Sequence, residues 1–266
     1  MKTETLEPGE STALGDNPGS SKKKESFMPP VSDTLIIMPA FNEELNIGQA
    51  LDDIFGEAPG IPVLVINDGS GDRTAEIAIK KGAKVITLPY NSGYGVALQT
   101  GFLYAHQRKI PIVLQMDSDG QHDARYINSL LEAVRAQDVD VVIGSRFLGA
   151  CEYKAGLLKR AGMLFFGTIA SVIVGRKVTD PTSGFQAAKG KAIGFAASDF
   201  YPPDYPDADF IILLHRHGFK VKEIPVAMKP NAQNKTMHRG HKTLYYVFKM
   251  ALSIMVTLLR NRPDPK

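Results

Sequence analysis

With 266 residues, 44% of them hydrophobic and 22% charged, the chain has the composition of a soluble globular protein and enough material for a buried core. Its one cysteine, Cys151, excludes a disulfide framework and a cysteine-based zinc site and fits a reducing compartment. No run reaches the ~18 uninterrupted apolar residues of a membrane-spanning helix, and the N-terminus lacks a signal-peptide pattern, so a cytoplasmic location is expected. The net charge of +3 is unevenly spread: residues 220–266 hold ten Lys and Arg against the two acids Glu223 and Asp264, while the rest of the chain is acid-rich. Such a basic end suits an anionic partner, whether nucleic acid, a phosphate or an anionic membrane.

Residues 1–30 are rich in Ser, Gly, Pro, Glu and Lys and nearly free of large apolar groups, which predicts a disordered tail. From Thr34 short apolar runs alternate with amphipathic stretches. Strands are predicted at 34–38, 62–67, 84–88, 111–116 and 139–144, with helices at 43–55, 73–81, 94–107 and 124–136 between them. Asp72 and Asp123 stand where N-caps belong. This alternation implies βαβ units and a mainly parallel sheet, an α/β fold, covered on both faces. After Gly149 the pattern changes to a helix near 156–174, the loop DPTSGF at 180–185 and a short helix near 190–197. A Pro-rich turn follows at 201–206, then a helix at 207–217, a strand at 219–225, a basic loop at 229–242 and a final helix near 243–260.

Open α/β sheets hold their ligands beyond the carboxyl ends of the strands. There the sequence places Pro39-Ala40-Phe41-Asn42-Glu43, Asn67-Asp68-Gly69-Ser70, Asn91-Ser92-Gly93-Tyr94-Gly95 and Asp117-Ser118-Asp119-Gly120-Gln121-His122-Asp123. Asp117 and Asp119 can turn toward one hard cation, with Gln121 adding a carbonyl oxygen; such oxygen ligands favour Mg²⁺ or Mn²⁺. An Asp-x-Asp turn that caps the next helix is the plainer alternative. Gly93-x-Gly95 matches a dinucleotide fingerprint weakly, because Leu98 occupies the place of the third glycine.

Taken in order, PAFNEELNI, INDGSGDRT, NSGYGVALQTG, MDSDGQHD, GSRF and DPTSGFQ resemble the family-2 glycosyltransferases of the GT-A fold, over about residues 34–230. Within them the likeness is to the dolichyl- or polyprenyl-phosphate sugar synthases. The resemblance implies a single Rossmann-like GT-A domain over 31–242; where many relatives continue into transmembrane helices, residues 243–266 depart from the pattern and read as a C-terminal amphipathic helix that docks on a membrane surface or a partner. It implies Asp117, Asp119 and Gln121 as ligands of Mg²⁺ or Mn²⁺. Pro39, Phe41, Glu43, Asp68, Asn91, Gly93, Asp117 and Ser118 fall in the nucleotide-sugar pocket, with Asp68 reading the base edge. Asn67 stands where many relatives carry an acid, which leaves the base open. Arg146 and Arg160, with Lys235, His238 and Arg239, match positions serving the acceptor phosphate, a role suited to guanidinium groups; pairing with neighbouring acids is the alternative for both arginines.

The implied reaction is an inverting displacement in which a polyprenyl phosphate attacks the anomeric carbon of a nucleotide sugar. The metal offsets charge on the leaving diphosphate, with Asp119 and Arg146 central to catalysis. A phosphate acceptor needs no strong base, whereas a hydroxyl acceptor on a growing glycan would, and Asp207 or Asp209 could serve unless both are helix-terminal acids. A sugar nucleotidyltransferase is disfavoured because PAFNEELN lacks glycine and basic groups. A non-catalytic nucleotide-sugar binder is disfavoured because the carboxylate cluster is intact. The final helix, apolar from Leu244 to Leu259 except for Lys249, Ser253 and Thr257, suits the surface of a membrane, a small integral-membrane partner, a homo-oligomer contact or the core. The expected partners are therefore a membrane surface and a lipid phosphate, and not nucleic acid.

Overall fold

The computed structural model describes residues 33–148, 157–229 and 241–259. The expected tail, residues 1–30, and most of the basic loop at 229–242 lie outside the described residues. Seven strands, β1 (Thr34–Ala40), β2 (Val63–Asn67), β3 (Lys84–Thr87), β4 (Ile112–Gln115), β5 (Val141–Ser145), β6 (Gln186–Lys189) and β7 (Val221–Pro225), form one sheet in the order β3-β2-β1-β4-β6-β5-β7. The helices are α1 (Ile47–Glu57), α2 (Thr74–Lys80), α3 (Tyr94–Gln107), α4 (Ile127–Arg135), α5 (Leu157–Val174), α6 (Lys191–Ala196), α7 (Ala208–Arg216) and α8 (His241–Leu259). All strand pairings are parallel except those of β6, which runs antiparallel to both β4 and β5.

Period-two alternation splits the apolar runs between two cores. Ile36, Met38, Val63 and Val65 pack beneath α1 and α4 with Leu51, Ile54, Leu130 and Val134. Leu35, Ile37, Leu64 and Ile66 face the other way, toward Leu98, Phe102, Ile193 and Leu214. Gly101 lets α3 lie close on that second face, since a Cβ there would sit 3.0 Å from Ile66 Cδ1 and 3.1 Å from Ile37 Cβ.

Two expectations are corrected. The first helix starts at Ile47 rather than at residue 43, because residues 42–44 are spent on tying the end of β1 to the β2–α2 connection. Asn42 (φ 54°) donates its N–H to Ser70 Oγ, Glu43 to Thr74 Oγ1 and Glu44 to Asp72 Oδ2. Strand β6 was not predicted at all. Its sequence QAAK has no β-branched residue, and it is held by pairing on both sides, with Ala187 and Ala188 buried.

A third apolar cluster joins α5, α7 and α8 through Phe166, Ala170, Ala208, Ile212, Met250 and Ile254. The opposite side of α8 exposes Phe248 (64%), Leu252 (39%), Met255 (51%), Val256 (52%) and Leu259 (75%). No helix among the described residues is long and apolar enough to cross a membrane.

At the start of α7, Asp209 is fully buried and accepts the N–H groups of Asp207 (3.1 Å) and Phe210 (2.8 Å) and the Ser253 hydroxyl. Burial pushes its pKa up from 3.8 to about 6, against those hydrogen bonds. An acid whose pKa rises on folding contributes most stability below its unfolded pKa and loses it as pH climbs through the folded value. Asp209→Asn keeps an acceptor oxygen and removes the titration. In thermal melts the Tm of the variant relative to wild type should therefore climb between pH 3.8 and about 6 and level off above that.

Candidate active site

The carboxyl ends of β1, β2, β4 and β5 open on one rim. Because β6 is antiparallel to β4 and β5, the DPTSGF loop that enters it arrives at the same rim. Ser118 and Pro39 form part of its framework: both are buried, and the Ser118 hydroxyl donates to the Pro39 carbonyl at 2.8 Å.

Asp117 leaves β4 under close control. Its Oδ1 accepts the Tyr94 hydroxyl at 2.7 Å, and Gln115 Nε2 donates to the same hydroxyl at 3.2 Å. Its N–H donates to His122 Nδ1 at 3.0 Å, and His122 Nε2 lies 3.6 Å from Asp117 Oδ2. A ring accepting at Nδ1 carries its proton on Nε2 when neutral. Burial favours that neutral form, lowering the pKa to about 4. The ring stacks on Phe185, with centroids 4.9 Å apart and planes 12° apart. Gly184 leaves no room for a side chain here: a Cβ would lie 2.8 Å from the Tyr94 oxygen and 3.0 Å from Asp117 Oδ2.

Asp119 accepts the Gln121 N–H at 2.9 Å and Gln121 Nε2 at 2.7 Å. The Gln121 amide nitrogen thus clamps Asp119, while its amide oxygen, the ligand atom expected from the sequence, is not engaged by that bond. Burial raises the pKa of both aspartates, and the charge of Asp117 raises that of Asp119 further. Among the described residues neither carboxylate has a Lys or Arg ion-pair partner, and no third His, Cys, Asp or Glu completes a metal cluster. Two partly buried carboxylates on one turn are the donor set that a hard divalent cation satisfies while keeping sites open for phosphate oxygens. The residues present fit Mg²⁺ or Mn²⁺.

The other candidate residues divide. Phe41 is exposed (44%) beside the rim and Asn91 is exposed in the loop after β3. Glu43 accepts Asn46 Nδ2 at 2.6 Å. Asp68 does not present its carboxylate to a base: Oδ1 accepts Ser92 N–H at 2.7 Å and Oδ2 accepts Gly93 N–H at 2.9 Å, so it anchors the loop. Gly93 (φ 105°) turns that loop into α3. Asn67, in the place of an acid, uses both ends of its amide, donating to Thr87 Oγ1 at 3.3 Å and accepting from Ser70 N–H at 3.3 Å.

Arg146 is the clearest correction. Only 6% exposed, it donates from Nε and Nη2 to the Asp180 carboxylate, 2.6 Å each, and from Nη2 to Thr182 Oγ1 at 2.6 Å. The arginine holds the DPTSGF loop and does not offer its fork to an acceptor phosphate. Arg160 falls in α5, where its side chain is not described; Lys235, His238 and Arg239 lie outside the described residues. Asp209 is a buried helix anchor and Asp207 is half-buried beside it, close enough to add to the rise in the pKa of Tyr94, which stems first from burial and then from Asp117.

Tyr94, His122, Asp180 and Gly184 were not singled out from the sequence, although each lies inside a quoted motif. Their parts depend on contacts between motifs, Tyr94 with Asp117 and Gly184, His122 with Phe185 and Asp180 with Arg146, which spacing along the chain does not reveal.

Arg146→Ala would leave the fully buried Asp180 without its charge partner. Loss of one member of a buried pair costs about 3–5 kcal/mol. Urea melts should show the midpoint falling accordingly, with Arg146→Lys intermediate because an ammonium cannot reproduce the fork. A stability unchanged in the alanine variant would return Arg146 to ligand binding.

With the geometry in view, comparisons identify the kin. Residues 35–180 match Glycosyl transferase family 2. A dolichyl-phosphate hexose transferase of Haloferax volcanii is 32% identical over 75% of this chain and 84% of its own length. A polyprenol monophosphomannose synthase of Mycolicibacterium smegmatis is 26% identical over 92% and 93%. Among solved structures, glucosyl-3-phosphoglycerate synthase from Mycobacterium tuberculosis, in complex with Mn²⁺, UDP-glucose and phosphoglyceric acid, superposes with a TM-score of 0.65. It shares 19% identity over 86% of this chain and 80% of that one. The chain is a glycosyltransferase of the GT-A fold and belongs to glycosyl transferase family 2.

Proposed function

We propose that the protein transfers a sugar from a nucleotide-sugar donor to a polyprenyl phosphate, with inversion at the anomeric carbon. The observation that carries transfer is the pair of partly buried carboxylates, Asp117 and Asp119, held at the end of β4 by Tyr94, His122 and Gln121. The lipid acceptor is supported by the names of the relatives, a dolichyl-phosphate hexose transferase and an undecaprenyl-phosphate mannosyltransferase of Micrococcus luteus among them.

Asp117 and Asp119 would hold Mg²⁺ or Mn²⁺. When bound, the ion supplies Lewis-acid stabilisation of the charge that develops on the leaving diphosphate. Around it Phe41 offers an exposed ring for the nucleobase, and the loop 90–93, whose Ser92 and Gly93 N–H groups are taken up by Asp68, offers the exposed Asn91 side chain. Gln121 and Tyr94 keep both carboxylates oriented before substrate arrives, so little reorganisation is needed at the moment of reaction.

An acceptor phosphate is ionised near neutral pH and attacks without a strong base. Arg160, Lys235, His238 and Arg239 are the basic residues proposed to receive it, on resemblance alone. If the acceptor is instead a hydroxyl on a growing glycan, Asp207 is the base candidate, because Asp209 is already engaged with Ser253 and two backbone N–H groups. A lipid phosphate lies at a membrane surface, and the exposed side of α8 with the basic residues of 220–266 suits peripheral docking on an anionic, cytoplasmic leaflet.

The test is a radiolabel assay with a panel of nucleotide sugars, undecaprenyl phosphate and Mn²⁺, scored by acid-labile product extracted into organic solvent. Transfer to undecaprenyl phosphate is expected. Label found only in water-soluble glycan would favour the hydroxyl acceptor. Asp119→Ala should lower the rate by at least ~100-fold, several kcal/mol of lost stabilisation. It should also remove the Mn²⁺ dependence of nucleoside-diphosphate binding in calorimetry; dependence retained in the variant would refute Asp119 as a ligand.

A further inference from the structure

The turn at 201–207 lies between α8 and the catalytic rim, and the structure ties it to both. Pro202, Pro203 and Pro206 have no N–H to donate, so the turn supports itself with few hydrogen bonds of its own. On the rim side, the Asp204 carbonyl accepts the Gly95 N–H at 3.1 Å. Gly95 is pressed so closely against the turn that a Cβ would lie 2.3 Å from the Pro202 carbonyl oxygen and 2.5 Å from that of Pro203. The neighbouring residue is Tyr94, whose hydroxyl holds Asp117. Tyr201 adds apolar support, its ring 5.6 Å from Phe102 of α3 and 4.8 Å from Phe210 of α7.

On the other side, α8 meets the turn directly at Asp204 and reaches it indirectly through Asp209 of α7. Lys249 Nζ reaches Asp204 Oδ2 at 2.5 Å, and the Ser253 hydroxyl donates to buried Asp209. Asp209 passes that contact to the end of the turn by accepting the Asp207 N–H. Lys249 and Ser253 are two of the three polar residues in the apolar stretch of α8, one turn apart; the first meets Asp204 in the turn and the second Asp209 in the first turn of α7. Met250 and Ile254, beside them, seat the helix on Ala208 and Ile212 of α7.

We propose that α8 is the positioning element of the catalytic rim: Lys249 and Ser253, acting through Asp204 and Asp209, hold the 201–207 turn against Gly95 and thereby set Tyr94 and Asp117 for sugar transfer. They are positioning residues and touch no reacting atom. The inference rests on the glycosyl-transfer reading of the rim, but not on the acceptor being a lipid. It gives the outward-facing helix a route to the chemistry, because whatever α8 docks on would be coupled to Asp117 through two side chains.

The test uses the full chain with Ser253→Ala, Lys249→Ala and the conservative Ser253→Thr. Hydrogen–deuterium exchange is followed in peptides covering 93–97 and 201–207. Steady-state release of nucleoside diphosphate is measured with the nucleotide sugar and Mn²⁺, with undecaprenyl phosphate in detergent micelles and with water as sole acceptor. Both alanine variants should exchange faster over 93–97 while α1 and β1 peptides stay protected. They should also lose roughly tenfold in kcat with donor KM unchanged, as expected of a small displacement of a reacting constellation. Ser253→Thr, which keeps the hydroxyl, should restore both. Unchanged exchange over 93–97 in the alanine variants would overturn the proposal. So would a kcat loss that Ser253→Thr fails to restore, or one matched by loss of protection throughout the sheet. If wild type transfers nothing to undecaprenyl phosphate, the lipid-acceptor reading fails by itself, and exchange together with donor hydrolysis still decides the role of α8.

Discussion

Two carboxylates kept close together and partly out of water dominate the chemistry of this protein. Burial raises the pKa of both Asp117 and Asp119, and the charge of Asp117 raises that of Asp119 further. Such a pair persists only if its surroundings hold it, and the rim is built to do so. Tyr94 and Gln121 donate to the carboxylates, His122 accepts the Asp117 N–H, and the missing side chain of Gly184 lets the DPTSGF loop close over Asp117. The negative charge of such a pair is what a divalent cation would offset, leaving the cation open positions for phosphate oxygens.

The histidine illustrates how orientation is maintained without charge. Buried and stacked on Phe185, His122 stays neutral at ordinary pH and acts as a hydrogen-bond acceptor for the backbone that carries Asp117. A protonated ring would have both nitrogens as donors and would lose that contact. The Arg146 guanidinium, the one whose charge reaches Asp117 among the described residues, is committed to Asp180. Its effect on Asp117 is a long-range lowering of pKa, smaller than the rise from burial.

The antiparallel strand β6 has consequences beyond the sheet. By reversing direction between β4 and β5 it brings the DPTSGF loop to the rim where the parallel strands end. The loop is then locked by buried bonds: Asp180 to Arg146, the N–H groups of Thr179 and Asp180 to Glu223, and the Ser183 hydroxyl to the Gly144 carbonyl. An irregular segment so tied can serve as a wall of a site without the mobility usual in loops. The helical side contributes through α7 and α8, whose contacts converge on the turn at 201–207.

Much of this could be read directly from the chain. Apolar runs at 34–38, 62–67, 111–116 and 139–144 announced strands, since a strand buried on both faces must be apolar throughout, and the run at 84–88 announced β3, a half-exposed edge strand. The polar motifs after them announced a rim, and their order announced the family. What tertiary structure alone decided was the use made of each polar group. Gln186-Ala187-Ala188-Lys189 has no intrinsic preference for a strand and becomes one only between two partners. Asp68, Arg146 and Asp209 look like ligand or catalytic residues by type, yet each is consumed by internal partners at the Ser92–Gly93 loop, Asp180 and Ser253. Sequence specifies which groups can donate or accept. Which of them still face a ligand is settled by long-range packing, because a buried polar group must first satisfy its neighbours.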